Sequence, residues 1–305
     1  MRWALLLLMA TGCRQLFGLD SPDPMRDAAG DGQGIDGPRD AQGGTCVDRW
    51  KAGPQFAAPL PLTSLNSTQT NERMPFLAND NELYLVRDND LYVATASPMG
   101  GFSDPMRVDS LSSMASEDRV FVNKEGTRAF LSSNRGGGTG GVDLWRGHRA
   151  GPIDTWGVDQ MYLENLNRAG DQTNPHLSDA LLQIYYGYRG TGLMVAERAS
   201  VSQSFGNGAP ISELNHASGE DDAPSLTGDA TVIVFESRRT GNWELWYSTR
   251  DGIGNVFSPP LLIPGLNVST RSDNGPHITR DGCTLYFASD RNGGSFDLFM
   301  ATLLD

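Results

Sequence analysis

Beyond residue 54 the chain alternates short apolar runs with clusters of Gly, Asn and Asp, and no stretch sustains a helical apolar period. The runs are rich in aromatic and β-branched residues: Leu83-Tyr84-Leu85, Ala129-Phe130-Leu131, Ile184-Tyr185-Tyr186, Val232-Ile233-Val234-Phe235 and Leu285-Tyr286-Phe287. Such residues suit a pleated surface, and the polar clusters between them supply turns, so the pattern predicts strands joined by tight connections.

The runs fall into five copies of one unit. Each copy opens on an aromatic residue, Phe56, Phe102, Trp156, Phe205 or Phe257, at spacings of 46, 54, 49 and 52. A leucine follows, Leu65, Leu111, Leu166, Leu214 or Leu266, with Asn after it in four copies and Ser112 in the other. Next comes Pro75, Val120, Pro175, Pro224 or Pro276, then a turn, the apolar run, and an arginine: Arg87, Arg135, Arg189, Arg238 or Arg291. A last strand begins at Asp90, Asp143, Gly192, Glu244 or Asp297. Four strands in each unit of about 45–55 residues predict an all-β, five-bladed β-propeller of four-stranded antiparallel blades. An orphan strand at about residues 59–65 precedes the first full copy, and the last copy stops after its third strand. Pairing the two removes two sheet edges, so the ring is expected to close through an N-terminal strand joined to the C-terminal blade.

The stretch 276–299 (Pro-x-Ile-Thr-x-Asp-Gly-x-x-Leu-Tyr-Phe, then Arg291 and Asp297-Leu298-Phe299) resembles the PD40, or WD40-like, repeat of TolB-type propellers, and 224–246 is near it. The resemblance covers roughly 250 residues and implies a domain that acts through protein contacts in the cell envelope. Copy two lacks the proline and copy three has Gly192 at the acidic position.

The N-terminus carries a different signal. Met1-Arg2 precedes an apolar run, residues 3–10, too short to span a bilayer, and it reads as a signal peptide over residues 1–12. Ala10-Thr11-Gly12-Cys13 resembles the lipobox of bacterial lipoproteins, which implies cleavage before Cys13 and a diacylglycerol on its thiol. Arg14, not aspartate, follows, which in that family implies the outer membrane of a Gram-negative cell. Residues 14–45 hold seven Gly, three Pro and six Asp, so with Cys13 they read as a disordered acidic tether ahead of a single domain at 46–305. Cys46 lies just upstream of the closing strand and Cys283 in the first turn of the last blade; an extracytoplasmic compartment permits a bond between them, the alternative being two free thiols.

The net charge of −13 disfavours nucleic acid and anionic lipid as partners and leaves the membrane to the lipid anchor. Gly136 to Gly141 matches G-x-G-x-x-G, but a strand rather than a helix follows, so it reads as a hairpin and not a dinucleotide site. The candidate chemistry is acidic. Glu72, Glu117, Asp118, Asp171, Glu220, Asp221, Asp222 and Asp273 lie just before or at the start of the innermost strands, at one mouth of the channel, and His176 and His277 repeat on those strands. This ring would bind Ca²⁺ or a basic partner segment, or else pair internally with the repeated arginines. No cofactor is expected beyond that Ca²⁺ option. The function expected is a non-catalytic, monomeric envelope scaffold for a protein or glycan ligand. The alternative is a carbohydrate-binding or glycoside-hydrolase-like propeller, which requires one special carboxyl pair in the channel rather than acids that recur in every blade.

Overall fold

The computed structural model describes residues 44–159 and 163–305. The signal peptide, Cys13 and nearly all of the tether lie outside these residues.

Five four-stranded antiparallel sheets make up the domain. Blade one is β2 (Glu72–Ala78), β3 (Glu82–Arg87), β4 (Asp90–Thr95) and β5 (Met106–Arg107). Blade two is β6 (Glu117–Val122), β7 (Arg128–Ser133), β8 (Asp143–His148) and β9 (Gly157–Val158). Blade three is β10 (Gln172–Leu177), β11 (Gln183–Tyr188), β12 (Gly192–Glu197) and β13 (Ala209–Pro210). Blade four is β14 (Asp221–Leu226), β15 (Val232–Ser237), β16 (Glu244–Thr249) and β17 (Leu261–Leu262). Blade five is β18 (Asp273–Ile278), β19 (Thr284–Ser289) and β20 (Asp297–Thr302), completed by β1 (Leu60–Pro61). Each first strand packs against the first strand of the next blade, and β18 returns to β2, so the inner strands form a closed ring.

The ring closes as the repeats predict. Leu60 pairs with Met300 and Pro61 with Phe299. Only two residues of the expected 59–65 segment are strand; the chain then turns, with Leu65 N–H donating to Leu62 O at 2.8 Å. The outermost strands are all this short, which leaves little open edge for another chain to pair with.

The repeated Leu-Asn step is the stitch between strands. Leu65, Leu111, Leu166, Leu214 and Leu266 are at most 1% exposed, and burial of each contributes about 2 kcal/mol. The next residue clamps the backbone of the third strand. Asn167 accepts from Leu144 N–H at 2.8 Å and donates to Leu144 O at 3.0 Å. Asn66, Asn215 and Asn267 do the same to Leu298, Leu193 and Leu245, and Ser112 does so more weakly to Leu91.

The helix α1 (Cys46–Ala52) has no counterpart in the sequence pattern, because seven residues are too few to display a 3.6-residue period. So short a helix is unstable alone. Thr45 and Asp48 cap it reciprocally, and Trp50 anchors it. The Trp50 ring lies 5.4 Å from Phe56 and 5.2 Å from Tyr247, and its Nε1–H donates to Gly282 O at 2.8 Å. Cys46 is bonded to Cys283, with their Cα atoms 5.2 Å apart, which ties the helix to blade five. No helix among the described residues is long and apolar enough to cross a membrane.

Candidate functional site

Each inner strand begins with a residue that closes the loop before it. Glu72, Glu117, Gln172, Asp221 and Asp273 accept a loop N–H from Ser67, Ser113, Arg168, His216 and Val268 at 2.6–3.0 Å. In four blades the acid also takes an arginine: Arg87 on Glu72 at 2.9 Å, Arg135 on Glu117 at 3.0 Å, Arg239 on Asp221 at 2.5 Å and Arg291 on Asp273 at 2.6 Å. The same four arginines donate to the carbonyls of Leu65, Leu111, Leu214 and Leu266. These buried acids are structural pairs, so most of the acidic ring read as a binding surface is internally satisfied.

The structure also corrects two assignments. The blade-four arginine is Arg239; Arg238 sits outside it on Glu220 at 3.3 Å, both largely in solvent. In blade three the closing residue is Gln172, not Asp171. Asp171 instead accepts from Val142 N–H at 3.0 Å and pairs with Arg189, which is 82% exposed. Among the described residues no group of three or more His, Cys, Asp or Glu is arranged to hold a metal.

The second residue of each inner strand differs from blade to blade: Arg73, Asp118, Thr173, Asp222 and Asn274. Four of them are half-buried between buried neighbours, which marks the side of the strand that faces the channel mouth. The reason is a β-bulge at this point in all five blades. In four blades the next residue is left-handed and precedes proline: Met74 (φ 52°), Asn174 (53°), Ala223 (51°) and Gly275 (57°). That conformation is unfavourable for a residue with a Cβ, and such backbone is kept where the surrounding structure imposes it. Blade two has Val120 instead of proline, and the residue before it is Arg119.

Arg119 is fully buried and reaches across the axis. It donates to Ala223 O in blade four at 3.1 Å and to Pro276 O in blade five at 2.7 Å. Below it the channel is plugged by Phe76, Phe121, His176, Ser225 and His277. Phe76 lies 5.3 Å from Phe121, 6.1 Å from His176 and 4.5 Å from His277. His176 Nε2 accepts from Leu226 N–H at 3.2 Å, and Ser225 Oγ accepts from Ile278 N–H at 3.2 Å, so these two plug residues each bond the next blade. Burial, followed by the Arg119 charge, holds both histidines well below their usual range, neutral in the plug. They are core residues, not rim ligands.

The second residues of the inner strands therefore form a polar cluster, the pit, over a closed floor at the channel mouth. Its third acid, Glu236, comes from the second strand of blade four, where the register sets it opposite Asp222. It is 5% exposed and accepts from Gly275 N–H at 2.6 Å. Burial first, then the charges of Asp222 and Asp118, push its carboxyl up to about 8 from an ordinary 4.5, against the pull of Gly275 N–H and Arg119. Burial also raises Asp118, opposed chiefly by Arg73, and raises Asp222 despite its bonds from Ala223 N–H at 2.7 Å and Thr173 Oγ1 at 2.8 Å. Gly187 leaves room for Asp222, since a Cβ there would overlap that carboxyl. Arg119 and Glu236 were not among the sequence candidates. The signal for Glu236 was a charge in an apolar run where the other blades place Val86, Ser132, Gly187 and Ala288.

This arrangement sets a pH trend. A carboxyl raised in the folded state binds its proton more tightly there, so its contribution favours folding at low pH and is lost as pH rises from about 4.5 to about 8. Glu236→Gln removes that loss. The melting temperature of the variant relative to wild type is expected to climb between pH 5.5 and pH 8; a difference constant with pH counts against the assignment. The buried histidines act in both proteins and cancel.

No known family model matches the chain, and no curated protein matches it in sequence. Solved structures match in fold. A family-43 β-xylosidase/α-arabinofuranosidase from a compost metagenome, in complex with xylotriose, is 12% identical, with a TM-score of 0.58 over 83% of this chain and 95% of that one. A family-62 α-L-arabinofuranosidase catalytic domain of Coprinopsis cinerea is 11% identical, with a TM-score of 0.55 over 83% and 98%. A TolB-type protein of Agrobacterium tumefaciens is 19% identical, with a TM-score of 0.47 over 76% of each chain. At these identities the likeness defines the class as a five-bladed β-propeller and goes no further.

Proposed function

We propose that the protein is a non-catalytic, lipid-tethered binding module of the cell envelope that receives a partner protein's side chain in the polar pit. The observation that carries this reading is the break in the repeat. The acids that recur are paired with arginines, whereas Arg73, Asp118, Arg119, Thr173, Asp222, Glu236 and Asn274 vary from blade to blade and converge on the channel mouth. The lipobox-like Cys13 and the acidic stretch after it supply the anchor and tether of this reading.

The test is crosslinking of the tagged full-length protein in its native envelope beside an Asp118→Asn, Asp222→Asn variant. A partner captured by the wild type and absent from the variant is expected. Equal capture by both, or capture by neither, overturns the reading.

Glycoside hydrolysis is the second reading, favoured by Glu236, a carboxylic acid that keeps its proton to about pH 8 opposite Asp222. A glycosidase pair needs environments that drive its two carboxyls apart, one acid and one base. Here Glu236 is 5% exposed and both oxygens of Asp222 are engaged by Thr173 and Ala223, so neither carboxyl stands free to a glycosidic oxygen or an attacking water, which is why binding is preferred. Release of nitrophenol from aryl β-xylosides or α-arabinofuranosides by wild type but not Glu236→Gln would reverse that order.

A further inference from the structure

With every carboxyl counted as ionised, the pit is one positive charge short. Asp118, Asp222 and Glu236 stand against Arg73 and Arg119, three carboxyls to two guanidiniums. These are the charged groups that face Glu236 and its neighbours from blades one, two and four. Blade three contributes the neutral Thr173 and Asn174, and blade five contributes Gly275 N–H and Asn274. A second observation concerns acceptors other than the carboxyls, although the Asn174 side chain also bonds Asp222. The amide oxygens of Asn174 and Asn274, in residues 1% and 8% exposed, have no hydrogen-bond donor. Unpartnered buried acceptors are rare in folded proteins and call for a donor from elsewhere. The Nε atoms of Arg73 and Arg119 also lack a partner, but both guanidiniums already act on the pit carboxyls.

We propose that the pit binds one primary ammonium group, the side chain of a partner's lysine. The inference rests on the binding reading above and names the chemistry of its ligand. An ammonium presents three N–H donors spread around one atom, suited to acceptors on several sides of a pit. A guanidinium prefers two free oxygens of one carboxylate, and both oxygens of Asp222 are already engaged. Binding converts the Glu236 carboxylic acid to a carboxylate beside the incoming cation, so the site is neutral before and after. The excess of acidic residues over the whole chain, −13, draws the same class of partner.

The probe is Nα-acetyl-lysine amide, titrated calorimetrically into the full-length protein in detergent, in phosphate and in Tris at pH 7. A dissociation constant in the millimolar range is expected for one buried charge contact. The buffer dependence of the heat should report one proton released per ligand. Affinity should rise about tenfold per pH unit from pH 6 towards 8. Glu236→Gln should bind with no proton release and no pH slope. Three results overturn the proposal: no binding at pH 8, wild-type binding without proton release, or equal affinity for neutral Nα-acetyl-norleucine amide. Failure of the probe alongside pit-dependent capture of a partner removes the ligand class alone; loss of that capture removes the binding reading itself.

Discussion

Replacing Cys46 and Cys283 together by Ser is expected to lower the melting temperature by about 10 °C, from a loss of about 3–5 kcal/mol. The two residues are 237 apart in sequence, so their bond removes from the unfolded chain a loop that spans nearly the whole propeller. It also holds α1, which is too short to persist unaided and which seats Trp50 between Phe56 and Tyr247. β1 adds only two residues to blade five, flanked by backbone bonds from Ala57 to Thr302 and from Leu62 to Leu298, and the clamp adds to these. The measurement is thermal unfolding of the double variant, and of wild type with and without reductant. Midpoints that agree within 2 °C would show that the β1–β20 pairing closes the ring by itself.

Arg119→Met is expected to destabilise the protein by about 3–5 kcal/mol at pH 8, and by clearly less at pH 5.5. Arg119 is the one charge in the pit that is wholly buried, and burial lowers even its guanidinium to about 10. Methionine fills similar space but leaves Asp118, Asp222 and Glu236 facing Arg73 alone, and it strips donors from the carbonyls of Ala223 and Pro276. The sign follows from linkage. Without Arg119 the carboxyl values rise further, so the penalty is greatest where the acids must ionise and fades as falling pH protonates them. Urea unfolding at the two pH values measures it. A loss equal at both would mean that Arg119 acts only through its two backbone bonds.

The architecture was legible because its cause is one-dimensional. Alternating apolar runs, turn residues and five copies in register are properties of neighbours along the chain, and Leu65-Asn66 or Leu266-Asn267 means the same thing in every copy. The site was only half legible. Asp118 and Asp222 were visible as acids, but nothing along the chain separates Glu117 from Asp118 or Asp221 from Asp222. Successive side chains on a strand point to opposite faces, and the bulge fixes which neighbour meets an arginine and which meets the channel. Arg238 and Arg239, or Asp171 and Gln172, exchange roles for the same reason: a one-residue step changes the face.

The remaining site residues depend on distance in space alone. Glu236 meets Asp222 only through strand pairing, and Arg119 finds its acceptors 104 and 157 residues away only once the ring has closed. The amino-acid sequence by itself determined a repeated, five-bladed β-fold joined end to end, because local alternation and repetition are enough to specify it. Tertiary structure alone decided which carboxyls are neutralised within the blades and which are left on the axis, because the energy of a buried charge depends on what surrounds it in three dimensions.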